Sequence, residues 1–266
     1  MLWTAEISFT SSKSLPINVF VGFAQYERLF HTPRWNISVD NLAIFGLLFV
    51  LICLALGTLL AIMIDQKVRA ESVFRTIYLY PYSMSFIVTG LVWQWAMNPG
   101  LGIQKSVRAL GWESFAFDWA ANENMAVYAL VVAGVWQSSG LVMALMLAGL
   151  RGVDQELWKA ARVDGVPVWR IYVSIVLPLL RPMIITAIVL LAISVVKAYD
   201  LVVALTRGGP GIASELPAKF IMDNLFERQN IALATAASTI MLITVLAVIS
   251  PWLYSEYFRR ADGRRT

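Results

Sequence analysis

Lys197 and Asp200 stand three residues apart in Pro182–Thr206, a stretch with no other charge. A charge at bilayer depth costs roughly 2.5–3.5 kcal/mol on insertion scales. Three residues apart on a helix, the two share a face and offset part of that cost. They read as a pathway or gate element, as a structural ion pair, or as Lys197 snorkelling outward. A second group, Trp136-Gln137-Ser138-Ser139-Gly140, is a polar patch halfway along an apolar run. Such a patch lines a cavity or a helix interface. An aromatic face beside hydrogen-bonding side chains suits a hydroxyl-rich solute, whose hydroxyls must exchange water for protein. Helix packing by small residues gives the same pattern. Other chemistry is poorly served. The single Cys53 lies in an apolar run, and the single His31 lies in a polar stretch beside Pro33. They form neither a disulfide, nor a metal site, nor a nucleophile pair. No Gly-x-x-x-x-Gly-Lys-Ser/Thr loop is present.

The surroundings of these groups are a membrane. Of 266 residues 59% are hydrophobic and only 14% charged, where a soluble domain carries about 25% charged residues. Four segments have no charge at all: Asn41–Ile64, Thr76–Met97, Asn124–Leu150 and Asn230–Ser255. With Pro182–Thr206 they make five stretches that reach the roughly 20 residues needed to cross a bilayer as a helix. The alternation of a membrane barrel is absent. One set of loops holds Lys67, Arg69, Arg75, Arg151, Lys159, Arg162, Arg170, Arg181, Arg259, Arg260, Arg264 and Arg265. The other, longer set holds Lys13, Arg28, Arg34, Lys105, Arg108, Arg207, Lys219 and Arg228. The denser set faces the cytoplasm, so the C-terminus is inside. Trp93, Trp95, Trp112, Trp119 and Trp252 fall near span ends or in adjoining loops, where aromatic belts form. The net charge of +4 reflects these loops and not nucleic-acid binding. The predicted plan is an extracytoplasmic segment 1–40, a membrane domain 41–258 with a cytoplasmic loop 151–181, and a tail 259–266. A polar segment 1–40 has nothing to carry it across, which points to a hydrophobic helix upstream of this reading frame.

The loop from Asp154 to Pro178 is the most informative stretch. Asp154 is a helix N-cap, and Leu157, Ala160 and Ala161 are expected on one face. Asp164-Gly165 is a turn signal. Pro167 suits the start of a second short helix, and Pro178 and Pro182 are expected to stop it. Two short helices meeting at a fixed turn form either a knob that transmits force to the spans or an amphipathic loop on the membrane surface.

This loop resembles the signature of binding-protein-dependent ABC importer permeases. That signature runs Glu-Ala-Ala, three residues, Gly, nine residues, Ile-x-Leu-Pro. Ala160, Ala161, Gly165, Ile175, Leu177 and Pro178 match it, and Asp164 is typical before the glycine. Lys159 stands where the family has glutamate, which puts that ionic contact in doubt, and Glu156, one turn earlier, offers a carboxylate in its place. Phe23–Tyr26, Phe74–Pro81, Trp93–Pro99 and Tyr199–Gly211 resemble the carbohydrate branch, in particular its larger-permease type. Asn98–Gln104 and Leu79–Ser85 look most like glucose/mannose-type permeases.

The resemblance implies an all-α fold, a type I ABC importer transmembrane domain with about five spanning helices in this chain and the family's first helix absent. It implies a multi-pass protein of the bacterial cytoplasmic (inner) membrane that carries a sugar. Its partners would be an ABC ATPase homodimer that binds ATP and Mg, a second permease and a periplasmic or lipid-anchored sugar-binding protein. This chain would bind no cofactor or metal and catalyse no reaction. Coupling to the ATPase would fall to Glu156, Lys159, Ala160, Ala161, Asp164, Gly165, Ile175, Leu177 and Pro178. The substrate pathway would use Trp136, Gln137, Ser138 and Leu141, which align with a substrate-contacting stretch of the maltose permease. It would also use Ser194, Lys197, Tyr199 and Asp200. The segment after Gly208-Gly209-Pro210 would face the binding protein. An ion-coupled secondary transporter is the alternative, but it needs an internal repeat and intramembrane acids, and Asp200 is the only acid well inside a span. A membrane enzyme lacks convincing catalytic groups.

Overall fold

The computed structural model describes residues 2–16, 19–66 and 68–262. Lys67, Arg264 and Arg265 lie outside these, as do the side chains of Arg162, Trp252, Arg259 and Arg260. The helices are α1 (Leu2–Ile7), α2 (Ala24–Phe30), α3 (Pro33–Asp65), α4 (Glu71–Leu79), α5 (Phe86–Ala96), α6 (Ile103–Ala109) and α7 (Ala126–Arg151). After these come α8 (Gln155–Val163), α9 (Val168–Ile171), α10 (Leu177–Leu179), α11 (Arg181–Val196), α12 (Tyr199–Leu205), α13 (Pro217–Met222) and α14 (Ile231–Asp262). No strand occurs among the described residues, only an isolated bridge between Thr10 and Phe20.

Three of the five predicted spans lie within single helices: 41–64 in α3, 124–150 largely in α7 and 230–255 in α14. Among the described residues, α3 and α7 are each long and apolar enough to cross a membrane. The pair Val168–Leu179 and Arg181–Val196, bent by 69°, makes up to one more span. The other two predicted stretches are broken. Thr76–Met97 divides between α4, a 3-10 turn at Tyr80–Ser83 and α5. Pro81 has no N–H to continue the ladder. Met84 is extended, and Ser85 starts afresh as an N-cap whose hydroxyl accepts from Val88 N–H at 3.3 Å. Pro182–Thr206 divides at Lys197–Ala198 between α11 and α12.

The chain forms two compact units, residues 40–216 and residues 1–39 with 217–266. In the larger unit α7 is the core helix. Its Leu130, Val142, Met143, Met146 and Leu150 pack with Phe45, Phe49 and Cys53 of α3, and Leu191, Leu201 and Leu205 join the same cluster. In the smaller unit Leu29, Trp35, Phe220, Leu233 and Ala237 form a separate core. There α14 begins with its first N–H groups met by backbone: Ala232 donates to Ser12 O at 3.0 Å and Ile231 to Lys13 O at 3.4 Å. Asp223 is buried between Lys219, at 2.8 Å, and Arg34. A lone carboxylate would be costly there, and the two cations offset that cost.

Candidate coupling knob and α5–α7 seam

The loop 151–181 folds as two short helices at a turn. Asp154 caps α8, its Oδ1 accepting from Glu156 N–H at 2.9 Å. The helix ends in a Schellman pattern: Val166 N–H donates to Ala161 O at 3.0 Å, and Gly165 takes φ +68. Only a residue without Cβ adopts that conformation freely. Pro167 then precedes α9 in an extended conformation and serves as its N-cap residue.

Leu157, Ala160 and Ala161 fall on one side of α8 at i, i+3, i+4 spacing, but only Ala161 is buried, while Leu157 and Ala160 are exposed. Trp158, one turn from Ala161, packs edge-on against Tyr172 with ring centroids 5.2 Å apart, and the Tyr172 hydroxyl accepts from Gln66 Nε2 at 3.0 Å. These contacts hold the inner side of the knob on the larger unit. Its outer side is left apolar and open: Val163, Val168, Trp169 and Val173 are all exposed, Trp169 by 68%. Lys159 and Glu156 are exposed and pair with each other at 3.0 Å. Asp164 is exposed at the turn, its N–H bonded to Ala160 O.

Pro178 does not end the second helix. A π-helical turn at Tyr172–Val176 precedes it, widening the ladder where the proline ring would strike the carbonyl one turn back. The helix continues to Leu179 and bends after Leu180. Pro182 sits in the first turn of α11, where no N–H is needed. Ile175 packs on the core, Leu177 is half-buried, and Pro178 is exposed.

The second site is the seam where α5 and the 3-10 turn meet α7. Breaking the helix at Ser83–Ser85 frees backbone groups that lipid cannot satisfy. Gln137 does so: its Nε2 donates to Met84 O at 2.7 Å. Gly140 lets the backbones touch there. A Cβ at that position would lie 1.9 Å from Tyr78 O. Gly90 allows a comparable approach of α5 to α12, where an added Cβ would sit 2.6 Å from the Ala204 Cβ.

A cavity of about 520 Å³ opens beside this seam. Trp93 and Trp136 line it edge-to-face, centroids 6.0 Å apart, with Tyr78, Pro81, Ser139 and aliphatic side chains of α3 and α7. Ser138 is buried and Leu141 half-buried, both outside the lining. Gln137 also lies outside the lining and is buried. The remaining predicted pathway residues do not join this cavity. Ser194 bonds its own helix at Leu190 O, 3.1 Å away, Tyr199 is half-buried, and Lys197 and Asp200 are exposed. Their expected common helix face is also not observed. Lys197 ends α11 and Asp200 belongs to α12, and no ion pair joins them. From sequence alone Trp93, Tyr78 and Ser139 had no site role: Trp93 stood out as an aromatic-belt residue and within Trp93–Pro99, Tyr78 within Phe74–Pro81, and Ser139 as part of the polar patch.

Residues 53–259 match the family described as binding-protein-dependent transport system inner membrane component. A probable ABC transporter permease protein of Pyrococcus horikoshii is 39% identical, covering 97% of this chain and 89% of that one. The xylose/arabinose import permease protein of Haloferax volcanii is 34% identical over 94% and 80%. A bacterial ABC transporter involved in import of the acidic polysaccharide alginate has the same fold, with a TM-score of 0.78 over 91% of this chain and 84% of that one at 18% identity. This chain therefore belongs to the binding-protein-dependent transport system inner membrane component family, the integral membrane permeases of ABC transporters.

Proposed function

We propose that this chain is one of two permease subunits of an ATP-driven importer, and that its cargo is a sugar handed over by a periplasmic or lipid-anchored binding protein. The import permease relative named for xylose and arabinose supports the sugar assignment. Glucose or mannose are the first candidates on the strength of Asn98–Gln104. The chain sits in the cytoplasmic membrane with its C-terminus inside, by the density of Lys and Arg in its loops. It performs no catalysis. An ABC ATPase homodimer holds ATP and Mg and supplies the work.

The observation that carries this reading is the knob of α8, Gly165 and α9. One side is seated on the larger unit by Ala161, Trp158 and Tyr172, and the other presents Val163, Val168 and Trp169 with no intramolecular cover. An exposed apolar edge of this kind marks a partner surface. A rigid piece with one face docked on the ATPase and the other held by the Trp158–Tyr172 contact and the Gln66 hydrogen bond passes displacement to the spans. Glu156, Lys159, Ala160 and Asp164 lie on the exposed surface and contact the ATPase, while Ile175, Leu177 and Pro178 tie the knob to the bend before α11. The Glu156–Lys159 pair is solvated, so its main role is specificity and encounter.

The test is purification of the tagged chain in mild detergent, followed by ATP-driven sugar uptake in vesicles. An ATPase and a second permease are expected to co-purify, and Trp169→Ala is expected to reduce ATPase recovery several-fold with the membrane subunits still folded. Sugar uptake by this chain alone, driven by an ion gradient without ATP, would overturn the reading.

A further inference from the structure

A second cavity, of about 660 Å³, lies where the ends of α3 and α7 meet the knob. Its walls carry Asp65 and Gln66 at the end of α3, Arg151 at the end of α7, Trp158 and Lys159 of α8, and Tyr172, with aliphatic side chains of α7 and α9. This size suits a small-molecule site. Two of its charges are not balanced where they stand. Asp65 is the last residue of α3, whose final turn has no basic residue. The carbonyls at a helix C-terminus are partly negative, so a carboxylate there is disfavoured until a cation joins it. Among the described residues Asp65 forms no ion pair. Arg151 is the last residue of α7 and pairs with Glu71 at 2.6 Å, but Glu71 also meets Arg75 at 3.7 Å. One carboxylate between two guanidiniums leaves one positive charge over, and most of the Arg151 N–H fork stays unspent. Lys159, by contrast, is matched by Glu156 at 3.0 Å. Asp65 and Arg151 line the same cavity without pairing with each other. The ligand that suits such a site carries both signs of charge.

We propose that this cavity binds the headgroup of a membrane phospholipid bearing a phosphate and a primary ammonium, of the ethanolamine type. The ammonium pairs with Asp65 and rests against the ring of Trp158, which packs edge-on with Tyr172. The phosphate accepts from the Arg151 guanidinium, whose fork matches phosphate oxygens. It also accepts from Tyr172: that hydroxyl accepts from Gln66, and its own O–H remains to donate. Position makes a lipid the source. Among the described residues α3 and α7 are the helices each long and apolar enough to cross a membrane, and both end at this cavity, where headgroups lie. The same wall includes α8, so a headgroup seated there wedges the knob against the spans. Coupling to the ATPase, a step that rests on the permease reading, then depends on how much ammonium phospholipid the membrane holds.

The tagged chain with its co-purifying subunits is washed in mild detergent and offered radiolabelled phosphatidylethanolamine or phosphatidylglycerol, and the lipid retained per complex is counted. Phosphatidylethanolamine is expected to be preferred about tenfold. Asp65→Asn is expected to remove that preference and Asp65→Glu to restore most of it. Asp40→Asn, which alters an exposed acid nearer the opposite end of α3, leaves it unchanged. In vesicles, ATP-driven uptake is expected to fall several-fold when phosphatidylglycerol replaces phosphatidylethanolamine, and Asp65→Asn to be low in both. Equal retention of the two lipids by the native chain would overturn the proposal, as would an undiminished preference in Asp65→Asn. Free phosphoethanolamine held as firmly as the lipid would assign the site to a soluble zwitterion and overturn the lipid. Absence of ATP-driven uptake in every lipid would overturn the permease reading, while lipid retention, measured without transport, still decides the site.

Discussion

Gly165 in the knob and Gly140 in the seam are required for opposite reasons. Gly165 has φ +68 and open space around it: a Cβ there would meet nothing within 4 Å. Its requirement is conformational and local. Gly140 is an ordinary helical residue with no backbone strain, but a Cβ would fall 1.9 Å from Tyr78 O. Its requirement is steric and non-local. The two regions differ in the same way throughout. The knob is built from caps and turns that act over a few residues, and its apolar side is left open for a partner. The seam is built from backbone crossings, and its polar side chains are turned inward. A surface that must dock tolerates change without unfolding, whereas a crossing that sets the path through the membrane does not.

The comparison predicts a gradient of effects. Gly140→Ala is expected to be the most severe, destabilising the membrane subunit by about 3 kcal/mol or more, because the α7 backbone must move off the 3-10 turn. A detergent unfolding midpoint close to that of the native protein would show that this crossing relaxes freely and would dissolve the contrast. Gln137→Leu comes next, at about 1–3 kcal/mol, since it leaves the Met84 carbonyl buried without a donor. The same midpoint measures it, and a neutral result would mean that another group or water reaches that carbonyl. Gly165→Val is expected to cost about 1–2 kcal/mol for left-handed backbone and to uncouple the ATPase. Gly165→Asn, which tolerates positive φ better than other residues, should recover most of the ATPase-coupled uptake. Equal loss in both variants would shift the role of Gly165 from backbone conformation to close contact with the partner.

The knob was legible because its signals are local. Asp154 as N-cap and Asp164-Gly165 as the turn each act over about one helical turn, and the structure has both in place, whereas Pro178, expected to stop the second helix, lies within it. Even there, which residue on the shared side of α8 is buried was not legible. Ala160 and Ala161 look alike in sequence, yet only Ala161 meets the core. The seam was legible as a polar patch and no further. Gln137 stood out as a polar side chain in an apolar run, but its partner Met84 lies 53 positions away, at a break that uninterrupted hydropathy through Thr76–Met97 concealed. Lys197 and Asp200 attracted notice by their charge, and the break at Ala198 separates them.

Composition and periodicity thus determined that this chain lies in a membrane as helices, because hydrocarbon admits few other backbones. The spacing of the loop motif determined the shape of the knob, because caps and turns are short-range interactions. Tertiary structure alone decided where the spans break, which polar groups are left without partners, and which face of each helix lines the cavity. Those depend on what the rest of the chain places opposite each residue, and hydropathy along one segment carries no record of its neighbours.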